Sequence, residues 1–412
     1  SSRGPGRIPK SDSIHPRRGF FASHEGWDGG TISCPMFQQL LAIARNTFFE
    51  SIRQPIMLVV VIAASILIVL SNPLSAFTMD ENQRMLVDIG LATVFLAGAV
   101  LAAFIATNVL GREIENKTAL AVISKPVTRP VFMIGKYLGV AGAMIIASLC
   151  MTLVFMLVEL HTVIETVQDP VHVPVVIFGV GGALLGLLAA TWCNYFYGMV
   201  FSSSVIAITT PILFLAYLLA LNFGPDFSSQ SMWLAFESQI WLAVVSIMMA
   251  ILVLCAIAVA VSTRFGQLVT LVCTVGLFLL GLLSDWIFGR SIERLEAAWL
   301  DAARLKGLVT QEEVARTIEW TTGEVEESIA IVDVASVPLT DMATTGEFVS
   351  WVLYWIGYSV LPNFQILWLS DALTQDTVIP YSYLLSTLLY GAFYSIGVLG
   401  LGIILFQRRE VG

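Results

Sequence analysis

The sequence predicts an all-α, polytopic helical membrane protein of about eight transmembrane helices, with an interfacial N-terminal helix and a small external helical insert. Of 412 residues, 57% are hydrophobic and only 12% charged, and the mean hydropathy is +0.83. That composition is too apolar for a soluble domain. The apolar residues also come in continuous rather than alternating runs, long enough to cross a hydrocarbon core ~30 Å thick as helices. Finally, the charges lie between the runs and differ in sign from loop to loop, so the net charge of -9 is less informative than its distribution.

Residues 1–35 are rich in Gly, Ser and Pro, carry five basic residues, and have neither apolar periodicity nor the apolar stretch of a signal peptide. They read as a disordered or non-native tail, with Met36 as the expected native start. Residues 36–54 place Phe37, Leu40, Leu41, Ala44, Phe48 and Ile52 on one face, against Gln38, Arg45, Asn46 and Arg53 on the other. This is the pattern of an amphipathic helix lying in the membrane interface.

The predicted spans are Pro55–Leu70, Ile89–Leu110, Tyr137–Leu160, Pro174–Trp192, Val205–Phe223, Ile240–Val261, Leu268–Phe288 and Tyr383–Phe406. Residues 55–110 thus hold spans one and two, 111–136 a polar island, 137–288 spans three to seven, 289–380 the external insert, and 381–412 the last span and the C-terminus. The island carries Arg112, Lys117, Lys125, Arg129 and Lys136, the turn after span six Arg264, and the C-terminus Arg408 and Arg409. The loops at 161–173 and 224–239 lack Lys and Arg but hold Glu165, Asp169, Asp226 and Glu237. Basic loops stay in the cytoplasm, so the island and both termini are expected there.

Within the insert, Ile292, Leu295, Trp299, Ala302 and Leu305 recur at helical spacing and Gly307 stops the helix. Thr310 with Glu313 then reads as the capping box of a second helix. Eleven acidic against five basic residues between 290 and 346 suit an external location. The apolar run 348–361 is short and rich in Trp and Tyr, and reads as re-entrant or interfacial. A Ser-rich turn recurs between apolar helices at 202 and 262, a weak internal repeat.

Several chemistries are absent. There is no phosphate-binding GxxxxGK[ST]; Gly135-Lys136 lacks the upstream glycine and the following hydroxyl. HExxH, GxSxG and paired CxxC are missing, and the five cysteines form no disulfide or zinc pattern. Asp88, Glu159 and Asp285 fall near the outer ends of spans, with no ionisable group at mid-depth, which weighs against a proton-coupled pathway. Asn108, Thr191, Asn194 and Thr210 are candidates for interhelical hydrogen bonds, and the run Gly179–Gly182 for close helix approach.

The island reads GREIENKTALAVISKPVTRPVFMIGK, a short helix over 112–124 ended by Pro126, then Thr128-Arg129-Pro130 opening a second helix. Its lysines suit an anionic-lipid anchor, whereas Glu113 and Glu115 beside an apolar stripe suit a protein-docking helix. REIENKT (112–118), SKPVTRP (124–130), Gly135-Lys136, LPNFQ (361–365) and FQRRE (406–410) together resemble the membrane subunits of the ABC-type-2 export family of ABC transporters. The likeness covers about Met36 to Leu160 and the last 30 residues.

The resemblance implies a permease subunit in a bacterial plasma (inner) membrane. The island would be a coupling helix in which Arg112, Glu113, Glu115 and Thr118 contact a separate ABC ATPase and Lys125, Pro126 and Arg129 shape the turn. It implies no cofactor in this chain, with ATP and Mg in the partner ATPase, and a second permease copy or sister permease as the other partner besides the lipid bilayer. No metal site and no nucleic-acid partner are expected. Family members have six spans, so the extra hairpin and the insert at 290–347 are departures. The alternatives are an ATPase-independent secondary transporter and a non-transporting membrane scaffold.

Overall fold

The computed structural model describes residues 35–77, 82–115, 128–164 and 170–407, and of residues 110–115 it describes the backbone alone. The N-terminal tail with Cys34, the island residues Lys117, Thr118, Lys125 and Pro126, loop residues Glu165 and Asp169, and Arg408 and Arg409 lie outside the described residues.

Within them the continuous apolar runs fold as predicted into helices: α1 Pro35–Ile52, α2 Pro55–Ser75, α3 Asn82–Glu115, α4 Arg129–His161, α5 Val173–Tyr197, α6 Phe201–Ala220, the single turn α7 Met232–Ala235, α8 Ser238–Ser262 and α9 Gln267–Leu282. Proline occupies the first turn of α2, α4 and α5, where its missing N–H costs nothing. Gly198, at φ 63°, closes α5 in a left-handed cap and turns the chain into α6. The Ser202–Ser204 run lies inside α6, so this turn rests on glycine rather than serine.

Among the described residues seven helices are long and apolar enough to cross a membrane: α2 to α6, α8 and the C-terminal α14, Tyr381–Gln407. They are not equivalent. Within their apolar windows α3, α4 and α8 are 67%, 72% and 72% buried, against 28%, 22% and 22% for α2, α5 and α14. The first three therefore form the centre, with Met144, Met151, Phe155, Leu101 and Ala256 at or near zero exposure.

Close approach depends on glycine at defined points. The position of a Cβ on Gly139 lies 2.5 Å from the Ala44 carbonyl oxygen and 2.5 Å from Thr47 Cβ, so α1 lies directly on α4. Gly186 likewise meets Thr209 of α6, with Cα at 2.9 Å, and Gly182 sits against Ala216. Within the predicted run Gly182 makes the close contact, and the tightest one is made by Gly186, one turn beyond it. Of the hydrogen-bond candidates, Thr191 bonds a carbonyl of its own helix and Asn194 bonds Met199 O across the turn; Thr210 bonds Ile206 O and meets Cys150 of α4, and Asn108 links different helices.

The N-terminal helix forms, but its packed side is rotated from the predicted face. Thr47, Ser51 and Ile52 are buried on α4, while Phe37 and Leu41 are 63% and 60% exposed. Small side chains win this face because glycines on α4 admit the α1 backbone itself.

Span seven differs from expectation. α9 ends at Leu282, a π-turn follows over Asp285–Gly289, and the chain bends 51° into α10, Arg290–Leu305. Sixteen residues of α9 rise about 24 Å, short of a hydrocarbon core. The missing depth is occupied by the segment after α11 (Thr345–Val360). Pro362 turns the chain inward and α12, Phe364–Leu367, buries Phe364 completely. Phe364 lies 5.7 Å from Phe278 and 6.1 Å from Phe95, beneath Gly281, where a Cβ would meet Pro362 O at 2.6 Å. Non-helical backbone here has partners. Asn363 Oδ1 accepts from Gln365 N, Ser246 Oγ donates to Leu367 O at 2.8 Å, and Gln365 Nε2 donates to Leu282 O. The short α13, Ser370–Thr374, follows.

The insert is not purely helical, which corrects the reading of a second helix at Thr310. Of the predicted face α10 buries Ile292 and Trp299, with Ala303 beside them, while Leu305 at its end is 91% exposed. Gly307, at φ 68°, then releases the chain into an antiparallel hairpin of two 11-residue strands, β1 Val309–Glu319 and β2 Val325–Ala335. Valine, isoleucine and threonine crowd both strands, and Gly323 at φ 83° completes the turn. A capping box does form, at Thr344 and Glu347 on α11: Glu347 N donates to Thr344 Oγ1 and Thr344 N to Glu347 Oε2 at 2.9 Å. The Thr344 amide holds the Glu347 carboxyl below its usual range. The run read as re-entrant or interfacial is α11, which lies beside α10 with no buried residue and is joined to it through Trp299–Glu347 and Trp351–Glu296 hydrogen bonds.

Candidate functional site

The island joins the two longest helices, α3 with 34 residues and α4 with 33. At 1.5 Å per residue α3 is about 51 Å long, well beyond the thickness of a hydrocarbon core. Its last turns carry Arg112, Glu113 and Glu115, so these three stand on a helix continuous with the bundle centre. Thr118, Lys125 and Pro126 lie outside the described residues. Arg129 is described, and it does more than shape a turn. Its Nη1 donates to the carbonyls of Phe406 and Gln407, at 3.1 and 2.7 Å, and its guanidinium lies 5.8 Å from the Phe406 ring centre. Phe406 in turn stacks on Phe132. A cation on the last carbonyls of α14 meets the negative end of that helix.

Two turns further into α4, Lys136 departs from its expected place at the surface. It is 3% exposed, with its ammonium 3.5 Å from Glu50 Oε2 and 5.8 Å from the Phe132 ring centre. Glycines 135 and 139 flank it, so α1 approaches closely enough to deliver Glu50. A charge this deep requires such a partner.

Asn108, one turn before the island on α3, gathers two further elements. Its Nδ2 donates to Gln54 Oε1 in the α1–α2 corner at 3.4 Å, and its Oδ1 accepts from Gln267 Nε2 at the start of α9. Ser202 Oγ donates to Arg53 O in the same corner, which ties in α6. Asn108 also lies between two polar-edged cavities. One, of about 400 Å³, is bounded by Glu50, Arg53, Gln54 and Ile56, and the other, of about 320 Å³, by Phe104, Thr107, Gln267 and Leu268. The island end is therefore a girdle in which α1, α3, α4, α6, α9 and α14 and the α1–α2 corner are joined through polar side chains. Asn108→Leu, similar in volume but unable to hold either glutamine, is expected to cost about 1–2 kcal/mol in a detergent unfolding titration, in line with interhelical hydrogen bonds in membranes.

Sequence reasoning found Asn108 and Arg129 but missed Gln54, Glu50 and Gln267 as their associates. The available signal was position: each is a polar residue within one turn of an apolar run. Asp88, Glu159 and Asp285 occupy the opposite, insert end. There Asp88 accepts from Ser370 Oγ at 2.8 Å, Glu159 accepts from Gln83, and Arg84 pairs with Asp376. Among the described residues no group of three or more His, Cys, Asp and Glu side chains converges.

No family model, curated protein or solved structure matches the chain. The arrangement therefore stands on its geometry alone, a polar girdle that ties the island end of the bundle together.

Proposed function

We propose that this chain is the permease subunit of an ATP-driven ABC transporter of the export type. The island end faces the cytoplasm of a bacterium, and the island itself is the element on which a separate ATPase acts. One observation carries the reading: the island is the direct connection between α3 and α4, whose apolar windows are 67% and 72% buried. A displacement of the described ends of the island, the last turns of α3 and the first turns of α4, is carried to the bundle centre along continuous helices. Arg129 conveys it to α14, and Asn108 to α2 and α9.

In this reading Glu113 and Glu115 give the docking helix its acidic face, while ATP and Mg are held by the partner. A second copy or a sister permease completes the pathway. The work at this chain is reorientation of spans, since a partner can shift such an equilibrium only through unequal contact with its two states.

The test is affinity isolation of the detergent-solubilised chain from its own cells, comparing wild type with the double variant Glu113→Lys, Glu115→Lys. Co-purification of an ABC ATPase, identified by mass spectrometry, with wild type alone is the expected result. Equal recovery by both would move the docking surface off these glutamates, and no ATPase with either would refute the reading.

A further inference from the structure

At the insert end, α2, α4, α5 and α6 enclose a cleft of about 350 Å³, open sideways at the depth of the spans. Val69, Leu157, Val176, Gly179 and Leu213 line it, and Asn72 and His161 are the polar residues at its edge. A dry apolar cleft that faces hydrocarbon is filled by hydrocarbon. The widest side is available because Gly179 lacks a side chain; a Cβ there would sit 3.5 Å from Leu157, an ordinary contact.

His161 also lines a second cavity of about 350 Å³, bounded by Thr162, Pro170, His172 and Pro225. His172 is 6% exposed, and its Nδ1 is buried with no hydrogen-bond partner in the structure. A buried polar atom without a partner costs free energy that a ligand can return. Burial first, and then the neighbouring His161, push the His172 imidazole below its usual range, so it is neutral and keeps one donor and one acceptor. His161 Nδ1 lies 3.1 Å from Thr162 O, a carbonyl that can only accept, so its Nε2 is left as the acceptor when the ring is neutral. Thr162 itself is held at φ 61° by Asn72 Nδ2, which donates to its carbonyl at 2.7 Å. A β-branched residue in that region is strained, and Thr162 stands next to His161, the residue that the two cavities share.

We infer that this pair of cavities is a binding site for one membrane glycerolipid, with an acyl chain in the apolar cleft and a hydroxyl-bearing head between His161 and His172. Hydroxyl groups fit because each can both donate and accept, as the neutral imidazole of His172 requires. The site is separate from the island and independent of any ATPase.

Phosphatidylglycerol and a glycosyl-diacylglycerol share this head chemistry, and competition separates them from charge. The purified full chain is placed in phosphatidylcholine vesicles containing a trace of phosphatidylglycerol with a diazirine on its acyl chain, then irradiated and mapped by peptide mass spectrometry. Label is expected to concentrate on 154–161 and 175–183, over the freely exposed face of α14 at Leu385, Phe393 and Ile396. Gly179→Leu should bring the label at the cleft down to the α14 level, and Val176→Phe provides the same test by a second route if the first variant misfolds. His172→Ala should weaken competition by both hydroxylated lipids about fivefold, the worth of one hydrogen bond. Uniform labelling of the exposed apolar surface, or competition by added phosphatidylcholine as strong as that of the hydroxylated lipids, would overturn the assignment.

Discussion

Replacing Gly139 by leucine is expected to lift α1 off the bundle. The new side chain would start 2.5 Å from the Ala44 carbonyl and 2.9 Å from the Phe48 amide. These are backbone atoms, which cannot rotate away as a flexible side chain would. Overpacking in a filled core costs about 1–3 kcal/mol, and more where backbone must move, so about 3 kcal/mol or greater is expected here. Lys136 would then lose Glu50 while remaining against Phe132. The measurement is thermal unfolding in detergent, with limited proteolysis of 36–52 as the local reporter. Gly142→Ala is the control, because a Cβ there would lie 3.4 Å from Phe48 and needs little adjustment. If Gly139→Leu unfolds at the wild-type temperature, α1 is held by something other than this contact.

Phe364→Ala is the second large effect. The side chain is fully buried against Phe95 and Phe278, with Trp368 on the Phe95 ring, and α12 has only four residues with which to hold its place. Truncating a buried phenylalanine costs about 3–5 kcal/mol, part of it the cavity left behind. Phe364→Leu keeps most of the volume and should cost less than about 1.5 kcal/mol. A difference of under about 1 kcal/mol between the alanine and leucine variants would mean that the aromatic cluster closes without Phe364.

The contrast between these sites and the insert shows which features the sequence discloses. The helices were legible because their signal is local and long: a run such as Ser238–Ser262 has a hydropathy of 3.0 and can do little else in a membrane. The break in span seven was not, because Leu268–Phe288 stays apolar through the bend. What ends α9 is the depth occupied by Phe364, about 80 residues later in the chain. The hairpin was misread for a related reason. Thr310 and Glu313 have the spacing of a capping box, a signal worth about 1 kcal/mol, and Thr344 and Glu347 have the same spacing. Only the second pair precedes a helix. The first is overruled by strand pairing from Val309 opposite Ala335 through Glu319 opposite Val325, and Gly323 at the turn was the clue.

At the island the composition pointed to Arg129 but not to its partners, because the carbonyls of Phe406 and Gln407 are more than 270 residues away. Lys136 was read as a surface cation since lysine beside an apolar run usually is one. Its burial follows from the glycines on either side, which make room for a neighbouring backbone that composition does not reveal.

The paired helices α5 and α6 have one more consequence. α5 leaves the insert end and α6 returns to it, and α5 is only 22% buried over its apolar window. Two crossings that start and finish on one side leave the parity of the chain unchanged, so residues 173–220 could be gained or lost without inverting α8, α9 or α14. A single crossing could not be exchanged in this way. The molecule thus has a fixed frame, whose handedness in the bilayer is set elsewhere, and an accessory pair that can diverge with its lipid surroundings while the frame keeps its orientation.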